Sequence, residues 1–280
     1  MQDKYRFSAL AAALLGLWLS SPALAAKPMT YQACLALVEE NPVDAYSKAL
    51  AWRQDEGGPA ALHCMALALV GQGDYAHGAR IFEEAARLME RRAGAAEQVP
   101  PLLSQAGNAW LLAEDGEQAF RLFDEALNRR SLPGFMKMDL LTDRARASAS
   151  LGDYANARED LTLILGMGGP RADILTYRAS AYRHLDDMAA AQADIERAIH
   201  LRPDYAEALF ERGNLKYAMG DYTEAGEDWQ AVIQLHPQSD VALAAQENLD
   251  ALEEAFNEAA ATQPDNPGQS PAADTAPAAR

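Results

Sequence analysis

The two cysteines of the 280-residue chain, Cys34 and Cys64, are the residues whose possible chemistry is simplest to assess. Three roles are open to them: a structural disulfide, two buried free thiols, or a reactive redox pair. A redox pair normally uses the Cys-x-x-Cys spacing, which the chain does not contain. Two thiols are also too few for a four-cysteine zinc site. If the protein is exported to an oxidising compartment, the pair favours a structural disulfide.

Histidines and sequence motifs do not indicate a metal or catalytic centre. His63 precedes Cys64, but the other histidines are far apart in the sequence and share no i, i+4 spacing. A metal site needs three or four converging ligands, so we interpret the histidines as single polar side chains. The chain has neither a Gly-x-Ser-x-Gly motif nor a glycine-rich phosphate loop. We therefore expect no metal, no cofactor and no enzymatic activity.

The composition narrows the range of partners. The chain carries 24 Lys and Arg against 41 Asp and Glu, a formal charge of −17. Nucleic acids and anionic lipid surfaces are recognised by clustered basic residues, so we expect neither as a partner. No small-molecule substrate is evident. Hydrophobic residues make up 49% of the chain, which is enough to bury a core. With these classes excluded, a protein or peptide is the expected partner.

Residues 1–25 have the pattern of a secretory signal peptide. Lys4 and Arg6 precede an uncharged apolar run, and the segment ends in Ala-Leu-Ala. A basic start, a short apolar run and an Ala-x-Ala ending predict cleavage, here after Ala25. The alternative is an uncleaved membrane anchor, because residues 7–26 are free of charge over roughly the 20 residues that a membrane span requires. We expect an exported bacterial protein, periplasmic or secreted.

A repeat of about 34 residues is the strongest pattern in the sequence. Leu141, Leu175 and Leu209 follow one another at this same interval, and each begins an amphipathic stretch. Equivalent stretches begin at Leu103 and Leu62, after longer intervals. Each unit has the features of two antiparallel helices, with small residues where the helices would touch. The units begin near Pro59, Pro100, Met138, Ala172 and Ala206.

The turn between the two helices of a unit has its own signature. Gly-Asp-Tyr recurs at 73–75, 152–154 and 220–222. Glycine suits the left-handed residue that ends a helix, and aspartate is a strong N-cap for the next helix. Two units depart from this signature, at 114–116 and 186–188, so the sequence leaves their turn geometry open.

The sequence from Ala206 to Ser239 resembles the tetratricopeptide repeat. At positions typical of that family it carries Leu209, Gly213, Gly220, Tyr222, Ala225 and Pro237. The resemblance implies an all-α fold, a right-handed superhelical α-solenoid of two-helix units with a C-terminal capping helix. The predicted organisation is a signal peptide at 1–25, a degenerate repeat at 26–58, five repeats at 59–239, a capping helix at 240–260 and a disordered Pro- and Ala-rich tail at 261–280.

The resemblance also implies a binding groove along the inner face of the first helices, where similar proteins bind extended peptides or partner helices. Asparagine offers a donor and an acceptor to a peptide backbone, and arginine can form two parallel hydrogen bonds with a carboxylate. The alternative is that these side chains only solvate the inner face. The groove positions correspond here to Asn108, Leu111, Thr142, Arg146, Thr176, Arg183, His184, Phe210, Asn214 and Tyr217.

These features together predict a non-catalytic adaptor or scaffold that binds a peptide or a partner protein in the bacterial envelope. Two alternatives remain open at this level. One is a constitutive structural subunit of a membrane-associated envelope complex, and the other is an auxiliary subunit of an enzyme.

Overall fold

The computed structural model describes residues 29–130 and 132–262. Over these residues the chain is all-α, and each helix packs mainly on its neighbours in sequence, which is the predicted α-solenoid. The predicted signal peptide and residues 263–280 of the predicted tail lie outside the described residues. The helices are α1 (Tyr31–Glu40), α2 (Pro42–Trp52), α3 (Gly58–Gly71), α4 (Tyr75–Glu90), α5 (Val99–Leu112), α6 (Gly116–Leu127), α7 (Gly134–Ser150), α8 (Tyr154–Gly168), α9 (Ala172–His184), α10 (Met188–Leu201), α11 (Ala206–Met219), α12 (Tyr222–Leu235) and α13 (Asp240–Thr262).

The turn inside each full unit places a left-handed residue before an aspartate at the N-cap position of the second helix. Gly220 ends α11 with a φ of 91°. Asp115 and Asp187 accept hydrogen bonds from backbone N–H groups in the first turns of α6 and α10. In those two units Glu114 and Asp186 take the place of glycine, with φ values of 60° and 61°. The same turn therefore forms without glycine, at the steric cost of a left-handed conformation.

Small residues allow the two helices of a unit to approach each other closely. A Cβ atom added to Gly213 would lie 2.5 Å from Nε1 of Trp229. One added to Gly107 would lie 2.6 Å from the Phe123 ring. The large side chain at the equivalent position of every full unit is at most 2% exposed: Phe82, Phe123, Leu161, Ile195 and Trp229. Each unit thus fills the space between its helices with one large residue packed against small ones.

Ala225 of α12 offers a test of this packing, because it is fully buried beside Leu209 and Trp229. A leucine there would overpack the interior, so we expect Ala225→Leu to lower the free energy of unfolding by about 1–3 kcal/mol. Ala193→Leu, on an exposed position of α10, is the matched control and should change it by less than about 0.5 kcal/mol. Urea denaturation followed by circular dichroism measures both. Equal midpoints would show that residue 225 does not lie at a helix contact.

Buried ion pairs join the two helices in each of the last three full units. The Nε and Nη2 atoms of Arg178 donate to the two carboxylate oxygens of Asp194, at 2.6 and 2.8 Å. These charge-assisted hydrogen bonds raise the pKa of Arg178 above its usual value. The equivalent pairs are Arg144–Asp160 and Arg212–Asp228. All three aspartates are at most 7% exposed, so each charge is neutralised inside the protein.

A disulfide fastens the first helix to the rest of the solenoid. Cys34 of α1 is bonded to Cys64 of α3, and both residues are fully buried. The predicted disulfide is therefore confirmed. Cys34 is the one buried residue of α1, and the bond joins this helix covalently to α3.

The described residues contain neither a membrane-spanning helix nor a cluster of metal ligands. No helix there is both long and apolar enough to cross a membrane. No group of three or more His, Cys, Asp or Glu side chains within 29–130 and 132–262 is placed to hold a metal ion.

Candidate functional site

Four of the predicted groove residues line one cavity near the C-terminal end of the solenoid. Arg183 of α9 and Phe210, Asn214 and Tyr217 of α11 border a space of about 390 Å³. The three residues of α11 are four and three positions apart, so they lie on one face of the helix. We refer to this space as the groove cavity. Its wall is completed by α12 and the capping helix through Trp229, Asn248, Ala251 and Leu252.

Two asparagines form the polar part of the groove cavity. The Oδ1 atom of Asn214 accepts hydrogen bonds from Trp229 Nε1 at 3.1 Å and from Asn248 Nδ2 at 3.0 Å. These bonds occupy both lone pairs of the Asn214 oxygen and fix the orientation of its amide. The amide N–H groups of Asn214 and the Oδ1 atom of Asn248 have no hydrogen-bond partner among the described residues. The cavity therefore offers a donor beside an acceptor, which is the complement of a peptide backbone.

Aromatic side chains form the apolar part of the groove cavity. Tyr217 is 44% exposed, and its ring centroid lies 5.2 Å from that of Tyr222 and 5.8 Å from that of Trp229. Phe210, two turns earlier on α11, is half-buried. An exposed ring that is supported by other rings is pre-organised to pack on a partner's side chain.

Arg183 already has a carboxylate partner within the protein. Its Nε atom donates to Oε1 of Glu211 at 2.7 Å, and the glutamate side chain is only 9% exposed. The expectation that this arginine is available to bind a carboxylate of a partner is therefore corrected. Its charge compensates a buried glutamate of α11, and the pair holds α9 and α11 together at the cavity wall.

Thr176 does not reach the groove surface, so its prediction as a contact residue is wrong. It is 4% exposed, and its hydroxyl donates to the carbonyl oxygen of Ala172 at 2.8 Å. A threonine on a helix can satisfy its hydroxyl on the preceding turn, and here neighbouring helices then cover it. Thr142 makes the same bond to the carbonyl oxygen of Met138, at 2.9 Å, but remains partly exposed.

A second set of predicted residues lies on α5 and α7, outside the groove cavity. Asn108 donates from Nδ2 to Oδ2 of Asp143 at 2.9 Å, and Nη1 of Arg146 lies 3.4 Å from the other carboxylate oxygen. Burial raises the pKa of Asp143 despite these contacts. The Arg146 side chain is 50% exposed, so it retains donors for a partner. Leu111 is half-buried and packs on the core.

His184 belongs to an aromatic pair instead of the groove cavity. Its ring stacks on Tyr154 of α8, with centroids 4.0 Å apart and planes 2° from parallel. Partial burial, followed by the nearby charge of Arg183, lowers the pKa of His184. The ring is therefore neutral at pH 7 and offers an apolar face beside α9.

The sequence interpretation missed Asn248, Asp143 and Glu211, which hold the predicted residues in place. Asn248 could have been found, because its distance from Asn214 along the chain is one repeat and so continues the pattern into the capping helix. Asp143 and Glu211 carried no such signal, since an acidic helical chain has many carboxylates that are simply solvated.

Comparison with known proteins identifies the repeat directly. Two family models described as tetratricopeptide repeat match residues 172–205 and 206–239. A comparison with curated protein sequences gives no significant match. Together, the two models and the stacked two-helix units define a helical-repeat protein. The chain contains tetratricopeptide repeats, as its sequence predicted, and the models place two of them at residues 172–239.

Two of the following three solved structures show the same fold. PilF of Pseudomonas aeruginosa has a TM-score of 0.56 at 15% identity, over 78% of this chain and 95% of its own. MamA from Desulfovibrio magneticus RS-1, from residue 41 to its end, has a TM-score of 0.52 at 18% identity, over 65% of this chain and 97% of its own. The second TPR domain of human RPAP3, in complex with the HSP70 peptide SGPTIEEVD, is 27% identical over 42% of this chain and 97% of its own, with a TM-score of 0.36.

Proposed function

We propose that the protein is a non-catalytic adaptor that binds an extended peptide segment of a partner protein in the groove cavity. One observation carries this proposal: the unpaired amide N–H groups of Asn214 and the unpaired amide oxygen of Asn248 lie in the same cavity as the exposed ring of Tyr217. The two amides bind a backbone carbonyl and N–H of the peptide, and the ring packs on its side chain. Arg146, which is half exposed further along the first helices, is available to a carboxylate of the same partner.

The proposal places this activity in the bacterial envelope. Its support is the signal-peptide pattern of residues 1–25 together with a disulfide, which persists in an oxidising compartment. Both features are independent of the groove cavity, so a different location for the protein would leave the binding proposal standing.

Photo-crosslinking tests which face of the solenoid meets the partner. A benzoylphenylalanine at position 217 should give adducts in cells of the native host, and mass spectrometry then identifies the crosslinked segment. The same probe at Glu159, an exposed residue of the second helix α8, should give none of these adducts. The same adducts from both positions would contradict docking in the groove.

The crosslinked segment, made as a synthetic peptide, gives a quantitative prediction for Tyr217→Ala. Because an aromatic residue at the centre of an interface can contribute about 2 kcal/mol or more, we expect binding at least about tenfold weaker, where one decade is about 1.4 kcal/mol. Fluorescence anisotropy of the labelled peptide measures this. Phe135→Ala is the control, since that ring is 64% exposed at the start of α7, and it should bind normally. An affinity unchanged by Tyr217→Ala at an unchanged Tm would remove the groove cavity from the mechanism.

A further inference from the structure

A larger cavity, of about 570 Å³, lies at the opposite end of the solenoid and shares no residue with the groove cavity. Its walls come from α1, from the start of α3 and α5, and from the connection 91–98 between α4 and α5. That connection holds the extra residues that make the interval between Leu62 and Leu103 longer than the regular repeat. The cavity therefore exists because this unit departs from the repeat. We refer to it as the N-terminal cavity.

Apolar side chains form much of the wall of the N-terminal cavity. Pro59 and Leu102, which are buried, line it together with the half-buried Met89 and Pro101. A volume of roughly 300–1,000 Å³ with an apolar lining and a few polar groups is typical of sites for small ligands. Two prolines also limit the freedom of the backbone here, so the shape is largely preformed.

A chain of hydrogen bonds crosses this cavity's wall from α1 to α5. Tyr31 Oη lies 2.8 Å from Nδ1 of His63, and Nε2 of His63 lies 2.7 Å from Oε1 of Gln105. Because the amide oxygen can only accept, Nε2 carries the proton and Nδ1 accepts from the tyrosine hydroxyl. Burial lowers the pKa of His63, in agreement with a neutral ring. Both ring nitrogens are thus occupied, and the Gln105 amide N–H groups remain available to a ligand.

Two opposite charges line the N-terminal cavity without binding each other. Arg92 and Glu97 both border it, and neither forms an ion pair with any residue within 29–130 and 132–262. An added Cβ at Gly58 would lie 3.1 Å from Nη2 of Arg92, so the guanidinium rests over backbone that carries no side chain. Both residues are exposed, so a ligand that bears both charges can reach them and pair with each. The protein's net charge of −17 would not repel such a ligand, since a zwitterion has no net charge.

We propose that the N-terminal cavity binds a small zwitterion with large apolar side chains, namely a short hydrophobic peptide such as a dipeptide. Its carboxylate pairs with Arg92 and its ammonium group with Glu97. Its side chains pack on the apolar wall, and the Gln105 amide donates to its peptide carbonyl. This site is separate from the groove cavity and goes beyond the adaptor function.

Isothermal titration calorimetry with the dipeptide Leu-Phe tests the proposal on the full mature chain. We expect Arg92→Gln and Glu97→Gln each to weaken binding by about tenfold. N-acetyl-Leu-Phe, which lacks the ammonium group, and Leu-Phe amide, which lacks the carboxylate, should bind wild-type protein more weakly by a similar factor. Arg130→Gln and Glu117→Gln, which change charges elsewhere on the chain, are the matched controls and should bind normally.

Three results would overturn the proposal. One is the absence of Leu-Phe binding at millimolar concentration. Another is acetylated dipeptide that binds as well as Leu-Phe, because the site would then select an anion. The third is binding that is lost in Tyr217→Ala, since the dipeptide would then occupy the groove cavity. Two variants separate this proposal from the adaptor function. Tyr217→Ala should leave the binding of Leu-Phe unchanged, and Arg92→Gln should leave the binding of the adaptor's partner peptide unchanged.

Discussion

Arg178→Met is expected to lower the free energy of unfolding by about 3–5 kcal/mol, because it leaves a charged aspartate buried without a partner. Asp194 is 7% exposed, and Arg178 supplies both of its short hydrogen bonds. Arg178 also donates to Thr162 of the preceding unit at 3.2 Å, so the substitution loosens the contact between units as well. Arg197→Met, on an exposed position of α10, is the matched control and should cost less than about 0.5 kcal/mol.

The chain itself suggests the substitution that rescues this variant. The positions equivalent to Arg178 and Asp194 in the first full unit hold Met65 and Ile81, which are buried and half-buried. A well-packed apolar pair in place of a buried ion pair is often neutral or stabilising. We therefore expect Arg178→Met with Asp194→Ile to recover most of the loss caused by Arg178→Met alone. Urea midpoints at pH 7 of the parent, Arg178→Met, Asp194→Ile and the double variant measure this double-mutant cycle. A double variant as unstable as the sum of the two single changes would show that the site cannot accommodate apolar side chains.

The same ion pairs show what the repeat makes predictable. The two helices of each unit and their small contact residues recur in every unit and could be placed from the sequence, as could the turns that carry Gly-Asp-Tyr. Arg144, Arg178 and Arg212 also recur at the interval of the repeat, and so do their aspartate partners. The signal for the buried pairs was present, but charged residues on helices are usually solvated, and so it was not interpreted as core structure.

The candidate site was less predictable than the fold. The α11 face with Phe210, Asn214 and Tyr217 follows from helical spacing alone. The burial of Thr176 and the pairing of Arg183 with Glu211 depend on how closely α9 approaches its neighbours. That distance is set by the packing of many side chains together, and no single position encodes it.

The N-terminal cavity could not be predicted from the repeat pattern. Its connection 91–98 belongs to no repeating position, so periodicity gives no register for its side chains. Arg92 and Glu97 could be seen in the sequence only as charges between two helices. Their placement on one cavity depends on Gly58 at the start of α3. Its φ of 53° suits glycine, and the absence of a side chain there leaves room for the guanidinium of Arg92.

Removal of the disulfide is expected to detach α1 from α3 while the rest of the solenoid remains folded. Cys34 and Cys64 are 30 residues apart, and the chain-entropy model gives a loop of that length about 3–4 kcal/mol of stabilisation. Each unit of a solenoid contacts mainly its neighbours, so this loss stays local. Cys34 is the one buried residue of α1, and the other residues of the helix that pack on the core, such as Val38, are only half-buried.

Hydrogen exchange on Cys34→Ala, Cys64→Ala measures this detachment by region. Amide protection in α1 should fall by about two orders of magnitude or more, since 1.4 kcal/mol is about one decade, while protection in α9 to α12 should change little. Wild-type protein treated with reductant should reproduce the variant, and reductant should have no effect on the variant. Detachment would also remove Tyr31 from His63, 2.8 Å away in the intact protein, so Leu-Phe binding should weaken under the same conditions. Unchanged protection of α1 in the reduced protein would show that packing, and not the disulfide, holds this helix in place.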